Sequence, residues 1–115
     1  MEAGTLDLED MQASAERACG LMKVLANPDR LLILCRLSQQ EMCVGELEAD
    51  LGVLQPTLSQ QLTVLRKAAL VTTRRDGKHI FYSLAAGPAL EVIQVLYRHF
   101  CAGDTGTRRS RRRTR

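Results

Sequence analysis

Residues 44–84 hold the pattern that most restricts what this chain can fold into. The segment VGELEADL predicts a short helix, Val44–Leu51, and the following Gly52 favours a helix end because glycine readily adopts the left-handed backbone conformation. Pro56 leads a second helix, predicted from about Gln55 to Ala69, since proline suits the first turn. Leucines recur there at spacings of three and four, so one face is apolar and the other polar. The segment therefore predicts two helices joined by a tight turn.

The next segment, LVTTRRDGKHIFYSL, predicts a β-hairpin. Residues of high strand propensity alternate at period two on both sides of Asp76-Gly77, and an Asp-Gly pair between such runs is the strongest short-range hairpin signal. A short helix, a turn with glycine, a helix whose first turns are rich in amide and hydroxyl groups, and then a hairpin are typical of a winged helix-turn-helix.

The flanking segments predict three further helices. Apolar residues spaced three or four apart indicate an amphipathic helix over Leu6–Leu25. The pair Asn27-Pro28 predicts the cap and first position of a second helix, which runs to about Ser38 and is apolar almost all round, hence buried. A last helix starts after a Gly-Pro pair and runs to about Cys101. The predicted fold class is mainly α with a small β-hairpin: four helices, two strands and a final helix in a winged helix-turn-helix.

Charge is strongly segregated along the chain. The formal net charge of +3 depends on the C-terminal segment RRSRRRTR, which holds six arginines and no acid. The first sixteen residues contain five acidic side chains and no basic one, whereas residues 66–78 contain five basic side chains and one acidic one. We therefore predict one winged helix-turn-helix domain over residues 1–103 and a disordered, arginine-rich tail over residues 104–115, which is too charged to pack.

The polar face of the second helix of this motif has the chemistry that DNA reading needs. Glutamine amides can pair with adenine edges in the major groove, and hydroxyl groups can bond to bases or phosphates. Cations at the hairpin tip can reach a flanking phosphate or the minor groove. The alternative is a solvated polar face without a ligand, which the adjoining hairpin makes the weaker interpretation. The candidate DNA-binding residues are Gln55, Thr57, Ser59, Gln60, Gln61, Thr63, Arg75 and Lys78.

Other functional classes find little support in the sequence. No apolar stretch approaches the roughly 20 residues that span a bilayer, and no basic-then-apolar leader opens the chain, so we expect a soluble, cytoplasmic protein without a membrane partner. The sequence offers no paired carboxylates, Ser-His-Asp set, phosphate-binding glycine loop or metal triad, and its two histidines lack evident acidic partners. We predict that the chain is not an enzyme and needs no cofactor.

The segments ANPDRLLILCRL, VGELEADLGVLQPTLSQQLTVLRKAALV and RRDGKHIFYSL resemble the ArsR/SmtB family of winged helix-turn-helix repressors over about residues 18–101. The resemblance implies a homodimer whose first and last helices form the subunit interface, and double-stranded operator DNA with an inverted repeat as its partner. Two recognition helices would then enter successive major grooves about 34 Å apart. Where many relatives have Ser-x-His-Leu, this chain has Ser59-Gln60-Gln61-Leu62, a departure that bears on base preference.

The chain has four cysteines: Cys19, Cys35, Cys43 and Cys101. In a reducing compartment they are core residues, metal ligands or redox switches rather than a permanent disulfide framework. The metalloid sensors of the resembled family place Cys-Val-Cys at the start of the third helix. This chain has Cys43-Val44-Gly45 there and lacks the second thiolate that soft metals need.

The zinc sensors of the same family use four ligands near the two ends of the last helix. The corresponding residues here are Ala86, Pro88, His99 and Ala102, of which the histidine alone can bind zinc. A lone histidine near a helix end is more often a surface or interface residue than a ligand. We therefore predict no metal site.

Cys35 and Cys101 lie at the positions of the two cysteines in the persulfide-sensing, BigR- and SqrR-like branch of the family, which the recognition segment QPTLSQQL also resembles. The resemblance implies a thiol switch between the second and last helices. The implied function is a dimeric, sequence-specific transcriptional repressor that leaves operator DNA when reactive sulfur species, or another oxidant, bridge Cys35 and Cys101.

Three alternatives stay open at this point. Cys35 lies in an apolar run and is also consistent with a small core residue. A metalloid- or metal-responsive repressor would use Cys43 with other thiols. A constitutive architectural DNA-binding protein would rely on the arginine tail, which binds any polyanion. Cys19 and Cys43 themselves are interpreted as structural residues.

Overall fold

The computed structural model describes residues 7–100 of the 115-residue chain. Cys101 and residues 104–115, for which we predict a thiol switch and a disordered tail, lie outside the described residues. Within this range the prediction of a mainly helical chain with a small β-structure is confirmed, and the predicted helices and hairpin strands occur in the predicted order. The elements are α1 (Leu8–Leu25), α2 (Pro28–Leu37), β1 (Met42–Cys43), α3 (Val44–Leu51), α4 (Thr57–Lys67), β2 (Val71–Asp76), β3 (His79–Leu84) and α5 (Pro88–Phe100).

Local signals set several of the helix ends. Asn27 caps α2 as predicted, because its Oδ1 accepts a hydrogen bond from the Arg30 backbone N–H at 3.0 Å, and Pro28 occupies the first helical position. Gly52 ends α3 with a φ of 72°, in the left-handed region that favours glycine. α4 is two residues shorter at each end than predicted.

α1 begins at Leu8 rather than at the predicted Leu6. Asp7 is its N-cap, and the Asp7 Oδ1 accepts a hydrogen bond from the Asp10 backbone N–H at 2.8 Å. The cap residue has extended backbone angles and therefore lies outside the helix. The spacing of apolar residues indicates the helix but does not locate this cap.

The hairpin belongs to a three-stranded antiparallel sheet with the strand order β1-β3-β2. The sequence pattern does not predict the edge strand β1, which pairs Met42 with Tyr82 and Cys43 with Phe81. Two residues are too few to display an alternating pattern. The pairing places Met42 in the core, where its side chain is 2% exposed. Burial against the rest of the fold therefore accounts for this strand better than local propensity does.

The hairpin turn lies one residue later than the Asp76-Gly77 pair predicts. Asp76 still pairs with His79, so the two-residue loop consists of Gly77 and Lys78. Gly77 has a positive φ of 66° and Lys78 does not, which is typical of a type II′ turn with glycine at its first central position. This register places Lys78 at the tip of the hairpin.

The core lies where α2, α3 and α4 meet the sheet and the first turns of α5. The leucines of α4 face inward as predicted. The prediction that α2 is buried all round is wrong, because Leu32 is 44% exposed and Cys35 is half-buried at the edge of the core. The largest fully buried side chains are Ile33, Leu34, Leu47, Leu58, Leu62, Leu65 and Ile93.

Two helices leave apolar side chains outside this core. Every residue of α1 from Leu8 to Gly20 is exposed, and the helix packs on the rest of the chain through its last turns. Large exposed side chains on these helices are Leu8, Met11 and Met22 on α1, and Val95 and Phe100 on α5. Both helices thus carry apolar surface that residues 7–100 do not cover. No helix in this range is long and apolar enough to cross a membrane.

Candidate nucleic-acid interface

The first turn of α4 is held by Gln55, which lies just before the helix. Its Oε1 accepts hydrogen bonds from the Ser59 backbone N–H at 3.1 Å and from the Ser59 Oγ at 2.5 Å. The backbone donor is one of those that a helix start leaves without an intrahelical partner, so the Gln55 side chain acts as a cap. The Gln55 amide nitrogen and the lone pairs of the Ser59 hydroxyl remain for other partners.

Thr57 and Gln60 present polar groups from the outer face of α4. Both side chains are exposed, and neither forms a hydrogen bond within residues 7–100. Thr63, further along the helix, donates from Oγ1 to the Ser59 carbonyl oxygen at 3.0 Å. The hydroxyl proton of Thr63 is therefore occupied, whereas the donors and acceptors of Thr57 and Gln60 are all available.

Gln61 differs from the prediction of an outward-facing side chain. It is half-buried, and its Oε1 accepts a hydrogen bond from Arg30 Nη1 at 3.0 Å. Arg30 lies in the first turn of α2, 31 residues earlier in the chain. The sequence pattern shows Arg30 as one residue of a helix start and holds no sign of this contact. The prediction that Gln61 contacts DNA stays a prediction.

The wing, formed by β2 and β3, carries the other two predicted DNA contacts. Arg75 and Lys78 are both exposed, and Arg75 Nη1 lies 3.5 Å from the carbonyl oxygen of Gly77. β2 packs against α4, so the wing is anchored to the helix whose outer face carries the candidate base-reading side chains. Between the wing and the start of α3 lies a shallow groove of about 250 Å³ lined by Cys43, Val44, Gly45, Lys78, His79, Ile80 and Tyr82.

Arg74 is the basic side chain of the wing that internal contacts engage most. Its Nη2 and Nε donate to the two carboxylate oxygens of Glu41 at 2.7 and 3.0 Å, a two-point ion pair between β2 and the segment before β1. The guanidinium carbon also lies 4.8 Å from the ring centroid of Phe81. The basic run at residues 66–78 therefore offers fewer cations to DNA than its composition suggests. The sequence pattern around Glu41 gives no sign of this ion pair, because Arg74 lies 33 residues away.

The ion pair with Arg74 leads us to expect a low pKa for the Glu41 carboxyl group. The pKa lies below its usual 4.5, chiefly because Arg74 donates hydrogen bonds to the ionised form, against a smaller opposing effect of burial. Because the folded-state pKa is below the unfolded value, the stabilisation is present above pH 4.5 and is lost as the pH falls through the folded-state pKa.

Carboxyl-detected NMR titration of the wild type and of Arg74→Met measures this pKa directly. Arg74→Met should raise the Glu41 pKa towards its ordinary value. Ser83→Ala is the matched control, because the Ser83 hydroxyl is a weaker partner at 3.3 Å and its loss should raise the pKa less. Equal values in the wild type and Arg74→Met would contradict the ion pair.

The described cysteines occupy three different environments. Cys19 is exposed on α1, Cys35 is half-buried on α2 against the core, and Cys43 is half-buried just before α3. The backbone carbonyl of Cys35 accepts a hydrogen bond from the Ser38 Oγ at 2.6 Å. Cys101, the predicted partner of Cys35, lies outside the described residues. The thiol switch therefore stays a prediction.

Cys43 has a local structural role at the N-cap of α3. Its backbone N–H donates to the Glu46 Oε1 at 3.1 Å, which satisfies a donor beside the helix start. Among residues 7–100, no three His, Cys, Asp or Glu side chains come together in a way that could hold a metal ion.

Comparison with known proteins decides the family. The sequence model described as bacterial regulatory protein, arsR family, matches residues 27–73, which contain α2, α3 and α4. A biofilm growth-associated repressor of Agrobacterium fabrum is 50% identical over 104 residues, which cover 90% of this chain and 89% of that protein. The chain belongs to the arsR family of bacterial regulatory proteins.

This ArsR-family regulator also matches solved structures along most of its length. The transcriptional repressor BigR from Xylella fastidiosa aligns with a TM-score of 0.79 and 45% identity, over 86% of this chain and 98% of that one. The transcriptional activator HlyU of Vibrio cholerae is 37% identical over 104 residues, which cover 90% of this chain and 96% of that protein. The similarity to the BigR-like branch is confirmed, and the chain is a DNA-binding transcription regulator rather than an enzyme.

Proposed function

We propose that this ArsR-family regulator is a dimeric repressor that binds operator DNA with an inverted repeat and leaves it when reactive sulfur species bridge Cys35 and Cys101. The observation that carries the proposal is the 50% identity with a biofilm growth-associated repressor over 90% of the chain. In this proposal α4 is the recognition helix, the wing supplies flanking cations, and the protein acts in the cytoplasm, where it meets the chromosome.

The hydrogen bonds that each polar side chain already forms indicate which side chains are available for bases and which for phosphates. The carbonyl oxygen and the NH₂ group of the Gln60 amide are both available and can pair with the N6 and N7 of an adenine in the major groove. Thr57, at the first position of α4, suits a base or a phosphate oxygen. Arg75 and Lys78 at the wing tip are placed to contact flanking phosphates, and their charges supply affinity without sequence information.

The dimer in this proposal covers the exposed apolar faces of α1 and α5. Met11 and Met22 of α1 are 53% and 57% exposed, and Phe100 of α5 is 64% exposed. Exposed apolar side chains on two helices favour a protein interface there. A two-fold symmetric pairing of these helices would place two copies of α4 about one DNA turn apart, which is why the operator is an inverted repeat.

The thiol switch is supported by the way α5 packs against α2. The ends of these two helices border one groove of about 340 Å³. Cys35 lies two residues before the last residue of α2, and Cys101 follows the last residue of α5 in the sequence. A short sulfur bridge between the two helix ends is therefore compatible with this packing. The groove is lined by Ser38, Gln39, Gln94, Tyr97 and Arg98.

The sulfur chemistry needs a donor with a sulfane sulfur, R–S–SH, and no other oxidant. The thiolate of one cysteine attacks the outer sulfur of the donor, which gives a protein persulfide and releases R–SH. The second cysteine attacks the inner sulfur of that persulfide, closes a disulfide and expels hydrosulfide, which takes up the two electrons. When both cysteines carry a persulfide, their reaction instead leaves a trisulfide and releases H₂S.

The bridge acts on DNA binding through the subunit interface. It joins α2, which is part of the core, to α5, which belongs to the proposed interface. A changed angle between the subunits would change the spacing of the two recognition helices, while the operator requires a spacing of about 34 Å. The bridged and open forms then differ in operator affinity, which is the requirement for a switch.

Selection of binding sites from a pool of random-sequence duplexes tests the repressor proposal. The full-length dimer should enrich an inverted repeat whose half-site centres are about 10 base pairs, or a multiple, apart. A variant that lacks residues 104–115 should enrich the same repeat, with weaker binding and a smaller dependence on salt because phosphate contacts are lost. Loss of the sequence preference in this truncated variant would instead support an architectural protein that binds through its tail.

A further inference from the structure

Arg30 connects three segments that are distant in the sequence. Its Nε donates to the Val24 carbonyl oxygen at 2.7 Å, and its Nη2 lies 3.4 Å from the Lys23 carbonyl oxygen. Its Nη1 donates to the Oε1 of Gln61 at 3.0 Å. The side chain thus bonds to the last turn of α1 and to the middle of α4 from its position in the first turn of α2.

The contacts with α1 have a clear physical basis. The last carbonyl groups of an α-helix have no intrahelical partner, and the C-terminal end of a helix carries partial negative charge. A guanidinium group supplies several donors in a fixed planar arrangement together with a full positive charge. Arg30 therefore satisfies the end of α1, and the same planar group has a further donor left for α4.

The contact with Gln61 fixes the orientation of the Gln61 amide. An arginine donates hydrogen bonds and accepts none, so the amide oxygen must be the atom that faces Arg30. The amide NH₂ group is then on the other side and keeps both of its hydrogens for another partner. Gln60, in contrast, has no such constraint within the described residues and can present either half of its amide.

We infer that Arg30 is a positioning residue for DNA recognition, which sets Gln61 as a hydrogen-bond donor to the major groove and ties it to the end of α1. The inference rests on the proposed role of α4 as the recognition helix. A Gln61 that presents only donors matches base edges that accept, namely the O6 and N7 of guanine, the N7 of adenine or the O4 of thymine. The two-point pairing with adenine, which needs a donor and an acceptor, belongs to Gln60.

The link to α1 connects this specificity to the subunit interface. In the proposed dimer α1 packs against the partner subunit, so a shift of α1 moves the two carbonyl groups that hold Arg30. Arg30 then passes that shift on to the Gln61 amide. The same guanidinium group therefore serves the fold and the alignment of one base contact.

A double-mutant cycle tests this inference with the duplex that the wild-type protein selects. Gln61→Met removes the amide and keeps the size, and should weaken binding about 10-fold because one base contact is lost. Arg30→Met should weaken binding by about 5- to 10-fold in the wild-type background but less than about 2-fold when Gln61→Met is also present. Equal losses in both backgrounds would overturn the inference and show that Arg30 supports the fold alone.

A second variant tests the base preference and leaves the contacts of Arg30 with α1 in place. Gln61→Glu keeps an acceptor for Arg30 but replaces the donor with an acceptor, so the selected base at one position should change to cytosine, whose N4 group donates. An unchanged base preference would overturn the inference. Arg36→Met is the matched control, because Arg36 lies in the same helix but pairs with Asp50 at 2.8 Å, and it should select the wild-type sequence. A wild-type protein without any sequence preference would overturn the proposed function as well.

Discussion

A persulfide donor should release the reduced wild-type protein from its operator and lower its affinity by about 5- to 150-fold, the range that a coupling of about 1–3 kcal/mol gives. Cys35→Ser and Cys101→Ser should each keep full operator affinity after the same treatment, because either change removes one end of the bridge. Fluorescence anisotropy with labelled operator DNA measures the release, and intact-mass spectrometry of the same samples identifies the bridge and any extra sulfur.

Cys19→Ser and Cys43→Ser are the matched controls for this experiment. Cys19 lies in α1 and Cys43 lies just before α3, so neither thiol belongs to α2 or α5, and both variants should respond like the wild type. A response that depends on Cys43 would contradict the proposed pair. Tight stoichiometric binding of arsenite or zinc to the reduced protein, with loss of operator affinity, would favour the metal-responsive alternative.

Leu58→Ala should reduce the free energy of unfolding by about 2–5 kcal/mol, the usual range for a leucine removed from a close-packed core. Leu58 is 0% exposed, and it belongs to the first turn of α4, so its loss leaves a cavity directly beneath that helix. Urea unfolding measures the effect. Because we propose that the protein is a dimer, wild type and variant must be compared at the same protomer concentration.

Leu54→Ala is the control for this truncation. The same residue type is 64% exposed in the turn before α4, and a surface substitution there should change the free energy of unfolding by less than about 0.5 kcal/mol. Similar losses for both variants would contradict the packing of α4 described above. Leu58→Ala should also weaken operator binding, since the helix that it supports carries the side chains proposed to read the bases.

The proposed switch and the Arg30 contacts lie towards opposite ends of α2. Arg30, at its first turn, bonds to the end of α1 and to Gln61 of α4. Cys35, two residues before the last residue of α2, lies near the groove that α2 shares with α5. Since α1 and α5 both belong to the proposed subunit interface, we propose that a change at that interface reaches α4 through α2.

Much of the fold could be predicted because its signals are local. Asn27-Pro28 starts α2, and Gly52 ends α3, since caps and left-handed helix ends depend on residues within one turn of each other. The apolar spacing of α4 and the alternation of the hairpin also act over a few residues. The sequence by itself determined the helices, the hairpin and the winged helix-turn-helix class.

The tertiary structure decided what depends on contacts between distant segments. Met42 and Cys43 form a strand only because β3 lies beside them. Arg74 pairs with Glu41 across 33 residues, and Arg30 bonds to Gln61 across 31, so the cations and amides free to meet DNA differ from those that the pattern indicates. The periodic spacing of residues in the sequence places each side chain on one face of its own helix. The packing of the neighbouring elements decides whether that face meets solvent, the core or another polar group.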